Sequence, residues 1–199
     1  LSVDNQIIHT SRCLGLYKAC GKTWENQDDV PWFYRDYDDI SAKLLADLDA
    51  DYSKIREAIK EMYPEKRFTH MLDYLSLERF SYQSENTDIK ESFVTSQTLV
   101  SIKTPVKQNE EGLWEVDRNH RFFLDDIYYG NCIAKWMAEQ LNIDVPTIDA
   151  IIRWSQEIRN ERIIDDNNRL ILDSKDLSAP LKAGIPCYYG YKTIEDMID

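Results

Sequence analysis

The sequence predicts a mainly α-helical domain, a multi-helix bundle with one minor β-hairpin near its C-terminus. Two observations carry this expectation. Apolar residues recur every three or four positions over three long stretches, beginning near residues 39, 125 and 146. The 199 residues, 43% hydrophobic and 30% charged, are enough to bury a core, and no repeat or Gly/Ser-rich linker divides them.

Taken in order, residues 21–37 are aromatic and irregular, with Trp24, Trp32, Phe33, Tyr34 and Tyr37. Such side chains are costly to leave in water, so the segment reads as an ordered loop. From Asp39 the pattern turns helical, with Ile40, Leu44, Leu48, Tyr52, Ile55, Ile59 and Met62 forming one stripe. Asp38 or Asp39 can cap its start, and Pro64 marks its end. Thr69 is placed to cap a short helix carrying Met71, Leu72 and Leu75, and Thr87 another carrying Ile89 and Phe93. Residues 108–112 form a polar turn.

A fourth helix is expected from about Asp125 to Leu141, burying Ile127, Ile133, Trp136, Met137 and Leu141. A fifth follows Pro146, a residue that costs nothing in a helix's first turn, and buries Ile148, Ile151, Ile152, Ser155 and Ile158. Two short apolar runs, at 162–164 and 169–172, flank Asp165–Asn168 and give the expected hairpin. The chain closes with Tyr188, Tyr189 and Tyr191 and a short helix from Thr193.

Charge and motifs narrow the function. Acidic residues outnumber basic ones 36 to 24, a net charge of −12, and that field disfavours nucleic acid and anionic membrane surfaces as partners. No apolar run is long enough to span a bilayer. The four cysteines have no metal-ligand spacing, three scattered histidines make no metal site, and reduced thiols in a cytoplasmic protein are expected. The six glycines never form a phosphate-binding loop, so cofactor-binding residues are expected to be absent from this chain. The chain starts at Leu1 without a methionine and enters motif-bearing sequence at once, which reads as part of a longer protein.

Two segments carry chemistry. His9 lies between Ile7-Ile8 and Thr10-Ser11. A histidine there is by default a structural hydrogen-bonder, but imidazole titrates near neutrality and suits acid/base work. Arg121 precedes Asp126 by five residues where a helical pattern begins, among Phe122, Phe123 and Leu124. Asp125 and Asp126 have a bland reading as acids at a helix start. Arg121 has a bland reading as a surface residue and a second as a partly buried guanidinium in want of a carboxylate, from protein or substrate.

Together these segments resemble the C-terminal helical domain of the opine dehydrogenases, the octopine/nopaline type. Asn5 and His9 match that domain's Asn-x-x-x-His start. Residues 121–130, from Arg121 through Asp125 and Asp126 to Tyr129 and Gly130, resemble its Arg-Tyr-x-x-Glu-Asp-x-x-Tyr-Gly segment. Val145, Pro146, Ile148 and Asp149 resemble its next helix start, and the region from Trp32 and Tyr34 to Asp49 resembles its Phe-Tyr stretch. The ordered set covers about residues 5–160. It departs from the pattern at Asp125, at Tyr128 where proline is common, and at Thr10-Ser11.

The resemblance implies that residues 1–199 are a single substrate and catalytic domain, with an N-terminal Rossmann domain outside them. It implies NAD(P)H-dependent condensation of an α-keto acid with an amino acid, with NAD or NADP bound mainly by that other domain. By position, His9 is the acid/base, Asp126 orients it, and Arg121 binds the keto-acid carboxylate. A neighbouring aspartate favours the protonated imidazole, and a planar guanidinium fixes a carboxylate at two points. Alternatives left open are the second domain of a 2-hydroxy-acid or sugar-phosphate dehydrogenase and a non-catalytic ligand-binding or dimerisation module. The amino donor is unreadable, and the subunit state, a homodimer included, is open.

Overall fold

A helix with no polar face organises the chain. The computed structural model describes residues 1, 4–179 and 182–198. Its first helix, α1 (Asn5–Cys20), buries every residue from Gln6 to Leu16. The sequence reading assigns no helix here, because a helix enclosed on all sides has no amphipathic stripe to reveal it. α1 packs against α2 (Asp39–Met62), α5 (Arg121–Asp126) and α7 (Pro146–Arg159). Gly15 lets α2 come close: a Cβ there would lie 2.0 Å from the Ser41 hydroxyl.

α2 runs as expected, with the Asp38 carboxylate accepting from the Ser41 amide at 2.7 Å. Its stripe buries Leu45 rather than the outlying Ile40 and Met62, which are exposed. The two short helices begin later than expected. α3 (Tyr74–Tyr82) and α4 (Ile89–Val94) are capped by Asp73 and Asp88, not by Thr69 and Thr87. An aspartate caps at least as well as a threonine, so the nearer carboxylate sets each start.

The minor β element lies in the middle of the chain. β1 (Val106–Gln108) and β2 (Trp114–Val116) pair antiparallel with Val106 opposite Val116, around the expected polar turn. Near the C-terminus the expected hairpin is reduced to a single Ile164–Leu170 bridge. Side chains take the amides a ladder would need. Gln156 Oε1 accepts from the amides of Ile163 and Ile164, and Glu139 Oε1 from that of Leu170.

The expected fourth helix begins earlier and is interrupted. α5 is capped by His120, and one π-helical turn (Ile127–Asn131) joins it to α6 (Cys132–Leu141). α7 has no cap of its own; Asp51 on α2 accepts from the amides of Thr147 and Ile148. α8 (Glu195–Ile198) ends the described chain. Tyr188 donates to the Leu172 carbonyl at 2.8 Å, while Tyr189 and Tyr191 are exposed. All four cysteines are free thiols, and no described helix is long and apolar enough to cross a membrane.

Candidate active site

Asn131 locks the π turn onto α1. Its buried side-chain amide lies within hydrogen-bond reach of the Asp126 carbonyl (3.0 Å), the Gln6 carbonyl (3.2 Å) and the Thr10 hydroxyl (3.3 Å). Tyr52 on α2 donates to its oxygen at 3.3 Å. The extra residue in a π turn offsets the helix before it from the helix after it. Asp126, the last residue of α5, is thereby held beside α1, and Gly130 makes the approach sterically possible.

A Cβ at Gly130 would sit 2.3 Å from Gln6 Cβ, an atom that no side-chain rotation can move aside. Alanine would gain roughly 1 kcal/mol in helix propensity. Overpacking costs about 1–3 kcal/mol, and with two helix backbones forced apart the upper figure applies. Gly130→Ala is therefore expected to lower stability by about 2 kcal/mol net. A denaturant midpoint equal to that of the unsubstituted chain would refute the close packing.

The result is a buried four-sided setting for His9. Its Nδ1 lies 2.7 Å from Asp126 Oδ2, and its Nε2 lies 2.8 Å from the Tyr34 hydroxyl. Phe122 stacks on the ring at 4.0 Å between centroids, and Phe33 meets it edge-on at 5.7 Å. His9 is only 4% exposed. Opposite an ionised Asp126, Nδ1 carries the proton and donates it. Nε2 then accepts from the Tyr34 O–H.

Tyr34 and Phe33 are held in turn by Arg12, one helical turn beyond His9. Arg12 is completely buried and uses its whole donor fork. Nε donates to the Phe33 carbonyl (2.8 Å), and Nη2 to the carbonyls of Trp32 (3.0 Å) and Asp36 (2.9 Å). Nη1 donates to Asp38 Oδ2 (2.6 Å) and the Ser41 hydroxyl (3.1 Å). A flat guanidinium with five N–H groups can do this; an ammonium cannot.

Burial pushes the Tyr34 hydroxyl's pKa up, with Tyr37, Asp4 and Asp126 adding to the effect. Asp4, at the head of α1, is also raised, chiefly by burial. Cys13 lies one turn from His9, but burial pushes its thiol up to about 12, so it is no nucleophile at neutral pH. Tyr34, unlike His9, lines a cleft of about 300 Å³ walled by α3, α4 and the segment after α4.

The structure thus brings His9 and Asp126 together, two residues 117 apart in sequence. It does not bring Arg121 into that cluster. The Arg121 side chain is 70% exposed and only loosely paired with Asp125 at 3.9 Å, which corrects the expectation of partial burial. His120 serves as the α5 cap, and His70 is exposed against Phe80. Sequence reading left Tyr34, Arg12 and Asn131 without a role. Arg12 stands three residues after His9, and a charged residue inside a segment with no solvent face is the signal that could have found it. Among the described residues no cluster of His, Cys, Asp or Glu could hold a metal ion.

The described residues thus form a helical domain that holds a part-buried His–Asp pair. Residues 1–159 match the family described as NAD/NADP octopine/nopaline dehydrogenase, alpha-helical domain, and the chain belongs to that family. It is 23% identical to the opine dehydrogenase of Haliotis discus hannai, over 97% of this chain and 46% of that protein. It is 24% identical to the octopine dehydrogenase of Pecten maximus, over 100% of this chain and 48% of that protein. The fold matches octopine dehydrogenase solved with NADH and pyruvate at a TM-score of 0.78, with 22% identity over 100% of this chain and 46% of that one. The chain therefore spans a little under half the length of these relatives.

Proposed function

We propose that this chain is the substrate and catalytic domain of an opine dehydrogenase, which condenses an α-keto acid with an amino acid and reduces the product. The observation that carries the proposal is the part-buried His9–Asp126 pair, 2.7 Å apart, in a chain of this family. The relatives' names and the NADH and pyruvate of the matched structure support the substrate and cofactor classes.

A partner nucleotide-binding domain belongs to the proposal. This chain's glycines serve helix contacts, turns and close packing, and none lies in a phosphate-binding loop. A bound nicotinamide would supply the hydride. This chain's residues supply the rest: His9 is the proton site, Asp126 fixes its tautomer, and Arg121 receives the keto-acid carboxylate. The exposure of Arg121 and its loose pairing with Asp125 leave the guanidinium able to turn to a ligand. The free thiols of Cys13 and Cys132 support a reducing, cytoplasmic setting.

The test uses the protein that carries this chain with its nucleotide-binding half. NAD(P)H oxidation is followed with pyruvate alone and with pyruvate plus a panel of amino acids. Oxidation is expected only when an amine is present; equal rates without one would overturn the proposal. In the same assay Arg121→Ala is expected to raise KM for pyruvate by roughly 10–100-fold, the worth of one charge-assisted contact. An unchanged KM would remove Arg121 from the carboxylate site.

A further inference from the structure

We propose that Asn131 is a positioning residue of this site: its buried amide holds residues 127–131 in the π register and so sets the bond between Asp126 and His9. This rests on the proposed dehydrogenase reading and extends it to a residue outside the His9–Asp126 pair.

Residues 121–141 are one helical run, interrupted once. α5 passes into α6 through the π turn, where the Cys132 amide donates to the Ile127 carbonyl five residues back. Such a turn carries one residue more than the α turn it replaces, and one residue corresponds to about 100° of helix rotation. α5 is therefore turned by about that angle from the path that a regular helix leading into α6 would take. Regular α bonding would bring a neighbour of Asp126 to the place where its carboxylate now meets His9 Nδ1 at 2.7 Å. The π form is the rare one, so side chains have to hold it.

Asn131 is placed to do so. It is the last residue of the turn and is completely buried. Its Nδ2 lies 3.0 Å from the Asp126 carbonyl, 3.2 Å from the Gln6 carbonyl and 3.3 Å from the Thr10 hydroxyl. His9 stands between Gln6 and Thr10 on α1. One amide thus grips the acid's own residue and the helical turn that carries the histidine, the two elements whose spacing decides the bond. Tyr52 donates to Oδ1 at 3.3 Å, which fixes the way the amide faces. Earlier in the turn, the Tyr128 hydroxyl donates to Glu161, which Arg159 holds at 2.9 Å. The turn is therefore anchored at two of its five residues by buried side chains.

Asn131→Leu keeps the size of the side chain and removes all of its hydrogen bonds. In this chain the His9 Nδ1 proton, held on a carboxylate, gives a far-downfield imidazole signal by NMR. In the variant that signal is expected to move upfield and to exchange faster with water. Asn131→Ala carries the same expectation should leucine fail to fold. Ile59→Val, in the core face of α2, controls for lost stability and is expected to leave the signal in place. A signal unmoved in a folded Asn131 variant, or moved equally by Ile59→Val, would overturn the proposal. In the proposed two-domain protein, Asn131→Leu is expected to lower kcat about 10–10²-fold. Placed on Asp126→Asn, the same change is expected to cost about twofold or less, because the bond it positions is already gone. Equal losses in both backgrounds would leave Asn131 a structural residue only. No NAD(P)H oxidation by the unsubstituted protein would overturn the dehydrogenase reading and the purpose given to Asn131, while the proton signal would still decide whether Asn131 sets the His9–Asp126 bond.

Discussion

Asp126→Asn, in the proposed two-domain protein, is expected to lower kcat about 10²–10⁴-fold. The substitution is nearly isosteric, and the Asp126 carbonyl keeps its contact with Asn131, so the fold should hold. What changes is which nitrogen of His9 carries the proton. A carboxylate 2.7 Å away accepts from Nδ1 and leaves Nε2 as the acceptor facing Tyr34. An asparagine that turns its NH₂ toward Nδ1 reverses both bonds and moves the proton to Nε2. Steady-state rates with the unfolding midpoint as control check this. A variant with undiminished kcat would show that the pair is structural only.

Arg12→Ala is expected to cost about 3–5 kcal/mol of stability, the penalty for breaking a buried charged network. The loss has three parts. Asp38 keeps its charge without its partner, the carbonyls of Trp32, Phe33 and Asp36 lose their donor, and a cavity opens in α1's packing. For a chain of this size the unfolding midpoint should drop by roughly 6–20 °C. Arg12→Lys restores the charge but cannot make the fork, so it should recover only part of the loss. An unchanged midpoint in Arg12→Ala would contradict the role given to Arg12. The same loop carries Phe33 and Tyr34, so its loosening also unseats the hydrogen bond on His9 Nε2.

The fold was legible where burial is one-sided. α2 and α7 each show one face to solvent, so their periodicity gave their extents closely. α1 is enclosed on all sides, and its mixture of Thr10, Ser11 and Arg12 with apolar residues carries no periodic signal, although it is the centre of the domain. The expected caps Thr69 and Thr87 give way to carboxylates nearer each helix start, and the start of α7 is held from another helix, by Asp51. The C-terminal ladder failed because Gln156 and Glu139 compete for its amides, and nothing local to 162–172 reveals that.

The site divides in the same way. His9 and Asp126 could be paired only through the family's ordered motifs, since no local pattern links residues 117 apart. In sequence Tyr34 is one aromatic among several in an ordered loop, because its hydroxyl gains meaning only once Arg12 has placed that loop against α1. Arg121 shows the converse. Its apolar neighbours suggested burial, but α5 turns Phe123 into the core and leaves the guanidinium outside.

In the proposed reaction a proton passed through His9 serves the reductive joining of a keto acid and an amine. Its most direct test is product identity. Pyruvate, an accepted amino acid and NAD(P)H are incubated with the two-domain protein, and the product is weighed by mass spectrometry. The expected product is a secondary amine whose mass is that of both substrates, less one water and plus two hydrogens. A 2-hydroxy acid formed from pyruvate, with the amino acid recovered intact, would contradict the claim.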